Sequence, residues 1–194
     1  MSLRGRCVAA AAGVGLLVVT GFPACSSTPR GPYAPLSASA RDPAEARRLT
    51  LLAAGQPADQ NAAAERLLRQ ALGHDLYHGP AHNNLGVLYL AQGKLYEAAG
   101  EFEWARKLMP GHPDPRLNLG LVLEQAGRSD EAIASYQAAL EVYPGHLPSV
   151  QALARAQLRH GRSDAQTAAL LDDICLRGDP VWRAWAQAQR LRPH

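Results

Sequence analysis

The sequence predicts an all-α fold, an α-solenoid built from repeated helical units. Two observations carry this prediction. The stretch HNNLGVLYLAQGK, residues 82–94, returns as RLNLGLVLEQAGR in residues 116–128, with Asn, Leu and Gly in the same order. The 194-residue chain is 47% hydrophobic but only 6% aromatic and is rich in alanine, which suits closely packed helices. A sequence that repeats itself at an interval of about 20–50 residues is typical of a solenoid.

The first 24 residues have the pattern of an export signal. Arg4 and Arg6 precede an apolar run from Cys7 to Val19, and small residues follow this run. The run is short against the roughly 20 residues that a bilayer-spanning helix requires. We therefore expect residues 1–24 to be a signal peptide that is removed. An uncleaved membrane anchor is the alternative.

The end of this signal resembles the lipobox of bacterial lipoproteins. In Phe22-Pro23-Ala24-Cys25, a small residue stands directly before a cysteine. The resemblance implies that Cys25 is acylated, becomes the new N-terminus and anchors the protein to a membrane. Ser26 after the cysteine resembles the pattern of lipoproteins that are sent to the periplasmic face of the outer membrane. Cleavage by ordinary signal peptidase near Ala24 or Ser26 is the alternative.

Residues 25–41 are predicted to be a flexible tether, because they are rich in Ser, Pro and Ala and show no hydrophobic period. Asp42 followed by Pro43 is typical of a helix start, with Asp42 as the N-cap and the proline in the first turn. We therefore expect the folded domain to occupy residues 42–180.

The repeat extends well beyond the first echo, because eight pairs of residues match at an offset of 34 positions. They are Leu85 and Leu119, Gly86 and Gly120, Tyr89 and Leu123, Gly93 and Gly127, Ala98 and Ala132, Phe102 and Tyr136, Ala105 and Ala139, and Pro110 and Pro144. This period and this order of residue types resemble the tetratricopeptide repeat. The resemblance implies four helix-turn-helix units, at about 45–78, 79–112, 113–146 and 147–180.

The glycines inside the predicted helices need a physical reason, since glycine destabilises a helix by about 1 kcal/mol relative to alanine. We expect Gly86 and Gly120 to lie where the two helices of a unit touch backbone to backbone, with Ala98 and Ala132 as their small partners. Large side chains are expected to fill the wedge between helices. They are Tyr89, Phe102 and Tyr136.

The two outer units follow the pattern less closely, as terminal units of a solenoid often do. At the same offset of 34 residues, Leu51 is predicted to be a core residue and Leu52 to replace the glycine of the first unit. In the last unit, Gln166 and Asp173 are predicted to replace the alanines.

Residues 181–194 are predicted to form a C-terminal capping helix. Trp182, Trp185 and Leu191 are expected to cover the open end of the last unit. A helix that lies on a membrane surface is the alternative, because arginines accompany the tryptophans.

The histidines are the residues that best suit a metal site. His74, His78 and His82 are four apart, as ligands on one helical face would be. However, His78, His112 and His146 are one repeat apart, which predicts equivalent turns and not one centre. No catalytic motif and no phosphate loop accompanies them. We therefore expect no enzyme, no metal, no cofactor and no small-molecule substrate; a histidine-based metal-dependent enzyme is the alternative.

The family resemblance places the binding site in a groove that is lined by the first helix of each unit. The corresponding residues are Asn83, Val87, Leu90 and Ala91, then Leu117, Leu121, Glu124 and Gln125, then Gln151, Arg155, Leu158 and Arg159. This groove is apolar at one end and basic at the other, which suits a peptide with an acidic portion. Alternatively, Arg155 and Arg159 are solvated and bind nothing.

These patterns predict a non-catalytic protein–protein interaction scaffold of the bacterial cell envelope, exported and anchored to the outer membrane through Cys25. Bacterial lipoproteins of this build resemble pilotins and envelope-assembly adaptors. The formal net charge of +3 is too small to imply a nucleic-acid partner. A self-assembling module that stacks through its exposed ends is a further alternative.

Overall fold

The structure, a computed structural model, describes residues 41–57 and 59–191. Within them the chain forms nine α-helices and no β-strand. The helices are α1 (Pro43–Ala54), α2 (Asn61–His74), α3 (Gly79–Ala91), α4 (Leu95–Leu108), α5 (Asp114–Gln125), α6 (Ser129–Val142), α7 (Leu147–Arg159), α8 (Ala165–Arg177) and α9 (Pro180–Arg190). The predicted export signal, Cys25 and the tether before Arg41 lie outside the described residues.

Consecutive helices pack in pairs, α1 with α2, α3 with α4, α5 with α6 and α7 with α8. The first helices of neighbouring pairs also contact one another: α1 contacts α3, α3 contacts α5, and α5 contacts α7. The first helices of the four pairs therefore form one layer, and α9 follows by packing against α8. The predicted all-α repeat fold is confirmed.

Helix α1 begins as the sequence predicts. The Asp42 carboxylate accepts a hydrogen bond of 2.9 Å from the backbone N–H of Glu45, and Pro43 occupies the first helical position.

Three glycines terminate the first helices of the second, third and fourth pairs. Gly93, Gly127 and Gly161 have φ angles of 72°, 75° and 68°, a left-handed conformation that glycine adopts without steric penalty. The backbone N–H of the residue after each glycine donates a hydrogen bond to the carbonyl of the residue five positions earlier, as from Lys94 to Tyr89 at 2.9 Å. Gly161 stands one repeat after Gly127, a match that extends the sequence repeat into its fourth unit.

The helical glycines lie under aromatic rings, which corrects the prediction of backbone-to-backbone contact. A Cβ atom on Gly86 would stand 2.7 Å from the ring of Phe102, and one on Gly120 would overlap the ring of Tyr136. Both rings are fully buried. Each glycine therefore makes room for the aromatic side chain of its partner helix, because a ring fills the wedge between helices better than a second backbone does.

The predicted placement of Leu51 and Leu52 in the first unit is wrong. Leu51 is 68% exposed and Leu52 is 44% exposed, while Leu49 and Thr50 are buried. Leu49 precedes Leu85 of the second unit by 36 residues and not by 34. The reason is the turn between α1 and α2, which spans residues 55–60, whereas residues 92–94 suffice between α3 and α4. Thr50 is thus the counterpart of Gly86.

The prediction for the last unit is wrong for a similar reason. The buried residues of α8 are Thr167, Leu171 and Ile174, while Gln166 is exposed and Asp173 is partly exposed. Thr167 follows the buried Ala132 by 35 residues, because the turn of residues 160–164 is longer than its counterpart at 126–128. The alanine positions are therefore filled by Thr167 and Ile174, and the core of this unit is intact.

Helix α9 packs its tryptophans on the last core, with Trp182 and Trp185 edge to face at 5.2 Å between ring centroids. Ala186 next to Trp185 is fully buried. Leu191 does not join this contact and is 83% exposed, since the helix ends at Arg190. The cap thus consists of the first two turns of α9.

Candidate functional site

The first helices of the four pairs present equivalent residues on one face. We call this set the groove face. It consists of Arg47, Leu51 and Ala54 in α1, Asn83, Val87 and Leu90 in α3, Leu117, Leu121 and Glu124 in α5, and Gln151, Arg155 and Leu158 in α7. Within each helix these residues are spaced by four and then three positions, so they share one side. The repeat did not predict the residues of α1, because their offset from the equivalent residues of α3 is 36 and not 34.

The apolar part of the groove face is only partly available to a partner. Val87 is 43% exposed and Leu51 is 68% exposed. Leu90 packs against the first core, and Leu117 and Leu121 pack against the second. These three leucines therefore stabilise the domain as well as line the groove face.

Asparagine side chains join neighbouring first helices. The Nδ2 of Asn118 in α5 donates a hydrogen bond of 3.0 Å to the Oδ1 of Asn83 in α3. Asn84 lies next to this pair and is half-buried. The contact fixes α5 against α3 on the groove face, so Asn83 serves the scaffold directly.

At the predicted basic end of the groove, the arginines pair with a carboxylate of the neighbouring first helix. The Glu124 carboxylate forms an ion pair with Arg159 and lies 3.5 Å from the Nη2 of Arg155. It also accepts a hydrogen bond of 2.8 Å from the hydroxyl of Tyr136. Burial, reinforced by the hydrogen bond to Glu124, raises the pKa of Tyr136 far above its usual range. Two guanidinium groups thus share one carboxylate, and the cluster ties α7 to α5.

The remaining predicted groove residues stand at its edges. Gln125 and Ala91 are exposed at the ends of α5 and α3, and Gln151 is half-buried in α7. Leu158 packs against the last core. The structure therefore brings the predicted residues onto one side of the domain, and only some of them are free for a partner.

A cavity of about 290 Å³ opens beside the groove face between α1, α2 and α3. Its lining consists of Ala53, Ala54, Gln56, Pro57, Asn61, Ala64, Leu68, Asn84, Val87 and Leu88. Apolar side chains form most of this lining, and the amides of Gln56, Asn61 and Asn84 add hydrogen-bonding groups. No sequence pattern predicted this cavity.

A second cavity, of about 450 Å³, lies between α4, α5 and α6. Its arginines are largely occupied, since Arg106 pairs with Glu103 and Arg128 pairs with Glu131. Burial, with repulsion from Arg106, lowers the pKa of Arg116 in the same cavity. With carboxylates already in place, this cavity suits an anion less well than its arginines suggest.

The histidines that resemble metal ligands are held apart by structural contacts. His82 is fully buried, with its Nδ1 2.7 Å from Glu101 and its Nε2 2.9 Å from the carbonyl of Leu76. His112 and His146 flank Asp114, at 3.4 Å and 3.2 Å. In the described ranges no group of three or more His, Cys, Asp and Glu side chains is placed to hold a metal ion.

Among the described residues, no helix combines the length and the apolar character needed to cross a bilayer.

Comparison with known proteins supports the repeat assignment along most of the folded part. The sequence model of the tetratricopeptide repeat matches residues 49–103, 84–146 and 117–180, so the matches reach from residue 49 to residue 180. No curated protein matches the chain in sequence.

Solved structures with the same fold come from proteins of different kinds. TTC0263, a thermophilic protein of Thermus thermophilus, is 21% identical with a TM-score of 0.65 over 78% of this chain and 84% of its own. An O-GlcNAc transferase of Thermobaculum terrenum is 28% identical with a TM-score of 0.63 over 71% of this chain and 27% of its own. The first repeat domain of Spaghetti (RPAP3), solved with the HSP90 peptide SRMEEVD, is 16% identical with a TM-score of 0.59 over 63% of this chain and 98% of its own.

Proposed function

We propose, from the premise that this chain belongs to the tetratricopeptide repeat family, that it is a non-catalytic scaffold which binds a protein or peptide segment on its groove face. The family assignment applies to residues 49–180, which make up more than half of the chain. In this proposal the bound segment lies on the first helices of neighbouring units. The helices hold it, and no residue of the chain performs chemistry on it.

The single observation that carries the proposal is the apolar surface left open between α1 and α3. Val87 and Leu51 are exposed on neighbouring first helices, and the cavity of about 290 Å³ opens beside them. Exposed apolar residues around a cavity are unfavourable in water and are typical of a surface that binds a partner. The peptide bound to the first repeat domain of Spaghetti (RPAP3) supports a peptide segment as the occupant.

A matched pair of charge substitutions tests this proposal. Val87→Glu places a carboxylate at the edge of the cavity, and Tyr96→Glu places one on α4, at a side chain that is 90% exposed. We expect Val87→Glu to weaken partner binding about tenfold or more, because it puts a charge where apolar surface is buried. Tyr96→Glu should leave binding unchanged.

The measurement is crosslinking and affinity capture from native membranes, followed by titration of the captured partner against both variants. Equal binding by Val87→Glu and the wild type would exclude the groove face. Circular dichroism of both variants checks that the helices are retained.

We further propose that the protein is exported and lipid-anchored through Cys25 at the periplasmic face of the outer membrane, as an assembly adaptor or a pilotin-like lipoprotein. The support is the sequence of residues 1–26. The anchor would hold the groove face near envelope proteins, and residues 25–41 would set the distance from the membrane.

A further inference from the structure

We propose that the cavity between α1, α2 and α3 holds one aromatic side chain of the bound partner, with an acidic residue of the same segment on Arg47. This inference rests on the proposed function and specifies the chemistry of its partner. The occupant is a segment that carries an aromatic ring and, three residues away, a carboxylate.

The internal repeat shows what is missing from this cavity. In the second and third units, Phe102 and Tyr136 extend from the second helix across a glycine of the first. The equivalent residue in the first unit is Leu68, and the buried Thr50 stands at the position of the glycine. A leucine lacks the outer part of the ring, and Leu68 lines the cavity.

The third unit shows how far such a ring reaches. The hydroxyl of Tyr136 bonds to Glu124, and Arg155 lies close to the same carboxylate. The equivalents of Glu124 and Arg155 in the first two units are Ala54 and Val87, and both line the cavity. The cavity therefore occupies the space that the outer edge of an aromatic ring fills two units further along.

The size and lining of the cavity suit such a ring. Its volume of about 290 Å³ exceeds the roughly 150 Å³ that suffices for benzene in an apolar protein cavity. Alanine, leucine and valine side chains provide the apolar contacts, and the amides of Gln56 and Asn84 offer partners for a phenol hydroxyl. A tyrosine is thus the best-matched occupant.

The charge beside the cavity indicates an acidic neighbour. Arg47 is exposed on the groove face and has no carboxylate partner among residues 41–57 and 59–191. It precedes Ala54 by seven positions on the same side of α1, about 10 Å along the helix. Three residues of a polyproline II segment cover about the same distance and, at three residues per turn, return to the same side of the segment. An acidic residue three positions from the ring therefore reaches Arg47.

Small aromatic probes test the cavity directly. We expect p-cresol and toluene to bind at about millimolar concentration, to raise the melting temperature and to shift the methyl NMR signals of Leu68 and Ala64. Acetamide, which has no ring, should do neither. Ala54→Leu narrows the cavity and should abolish the p-cresol effect. Ala99→Leu makes the same change in the cavity between α4, α5 and α6 and should leave the effect intact.

A second variant fills the cavity from inside. Thr50→Gly with Leu68→Phe gives the first unit the residues that the second unit has at the equivalent positions. This double variant should lose p-cresol binding and keep the wild-type melting temperature or exceed it. An unchanged p-cresol effect in both this variant and Ala54→Leu would overturn the proposal.

The acidic residue is tested with acetylated, amidated tetrapeptides in both chain directions. We expect DGGY or YGGD to bind about threefold or more tightly than the corresponding lysine peptides KGGY and YGGK. DGGA should not bind. Arg47→Gln should remove the preference for aspartate while p-cresol still binds. An equal affinity for the aspartate and lysine peptides in the wild type would contradict the role of Arg47.

The outcomes separate this inference from the proposed function. If p-cresol does not bind but Val87→Glu still weakens capture of the partner, the aromatic occupant is wrong and the groove-face scaffold stands. If p-cresol binds in the cavity but Val87→Glu leaves capture unchanged, the scaffold proposal is wrong, and the cavity lacks the partner segment that the inference assigns to it.

Discussion

At the scale of the residue, the packing of this domain depends on small side chains that lie opposite large ones. Gly86 lies under Phe102 and Gly120 under Tyr136, with both rings excluded from water. The sequence marked the glycines as helix–helix contacts because glycine is otherwise unfavourable within a helix. Which atoms they touch depends on the rotation of the partner helix, and a repeat pattern carries no information on this rotation.

The first prediction compares two helical glycines. Gly120→Ala would place a Cβ atom in steric overlap with the ring of Tyr136. This ring is held in place by burial and by the hydrogen bond of its hydroxyl to Glu124. We expect the free energy of unfolding to fall by about 1–3 kcal/mol. Gly100→Ala has open space around the new methyl group and should stabilise α4 by about 0.5–1 kcal/mol. Urea denaturation measures both, and an equal effect of the two substitutions would contradict the ring contact.

The second prediction concerns pH. Burial lowers the pKa of His78 below the usual value of about 6.5, and Arg47 adds to this effect against an opposing contribution from Asp75. The unfolded chain therefore binds more protons in acid than the folded one. The stabilising contribution is complete above pH about 6.5 and is lost as the pH falls from there through the folded pKa.

Substitution isolates this contribution. His78→Gln should reduce the loss of stability between pH 8 and pH 5, because the group that prefers to be neutral is gone. His160→Gln, at an exposed position, serves as the control. Thermal melts at both pH values measure the difference. If the pH dependence of His78→Gln matched that of the wild type, another group would have to account for it.

At the scale of the element, the length of a turn decides which face of a helix is buried. The turn of residues 55–60 displaces the buried face of α1 by two positions relative to the repeat, and the turn of residues 160–164 displaces that of α8 by one. The helix periodicity within each segment still predicted a helix. Its phase relative to the neighbouring helix was mispredicted, because the insertions fall in turns where the sequence shows no hydrophobic pattern.

The third prediction tests the capping helix. The Asp179 carboxylate accepts a hydrogen bond of 2.9 Å from the backbone N–H of Trp182 at the start of α9. Asp179→Ala should destabilise α9 by about 1 kcal/mol and weaken its cover of the last core. Hydrogen exchange of the α9 amides should increase while that of α3 and α4 stays the same. Asp59→Ala, at an exposed position in a turn, is the matched control.

At the scale of the whole molecule, function depends on how the groove face is divided between folding and binding. Leu90, Leu117 and Leu121 contribute to the cores, and Glu124 joins α5 to α7 through two arginines. The region around α1 and α3 holds exposed apolar residues and the cavity. The partner surface that we propose therefore lies at the N-terminal end of the domain.

The fourth prediction concerns the membrane anchor. Cys25→Ala should move the protein from the membrane fraction to the soluble envelope fraction, because it removes the residue that the lipobox resemblance marks for acylation. Cys175→Ala changes a partly buried cysteine of α8 and should leave the distribution unchanged. Fractionation with immunoblotting measures both. Continued membrane association of Cys25→Ala would leave the lipoprotein assignment without support.

The sequence by itself determined the helix class, the repeat period and the family, because Leu-Gly, Ala and aromatic residues recur at a fixed offset and each has a packing reason. The family resemblance, and not periodicity alone, assigned the groove residues of α3, α5 and α7, and the spacing within each helix places them on one side. Only the tertiary structure revealed that Glu124 neutralises part of the charge of Arg155 and Arg159, that α1 contributes Arg47 and Leu51, and that Leu68 leaves a cavity. These features depend on distances between helices, which are fixed by turn lengths and by the volumes of side chains that meet across units.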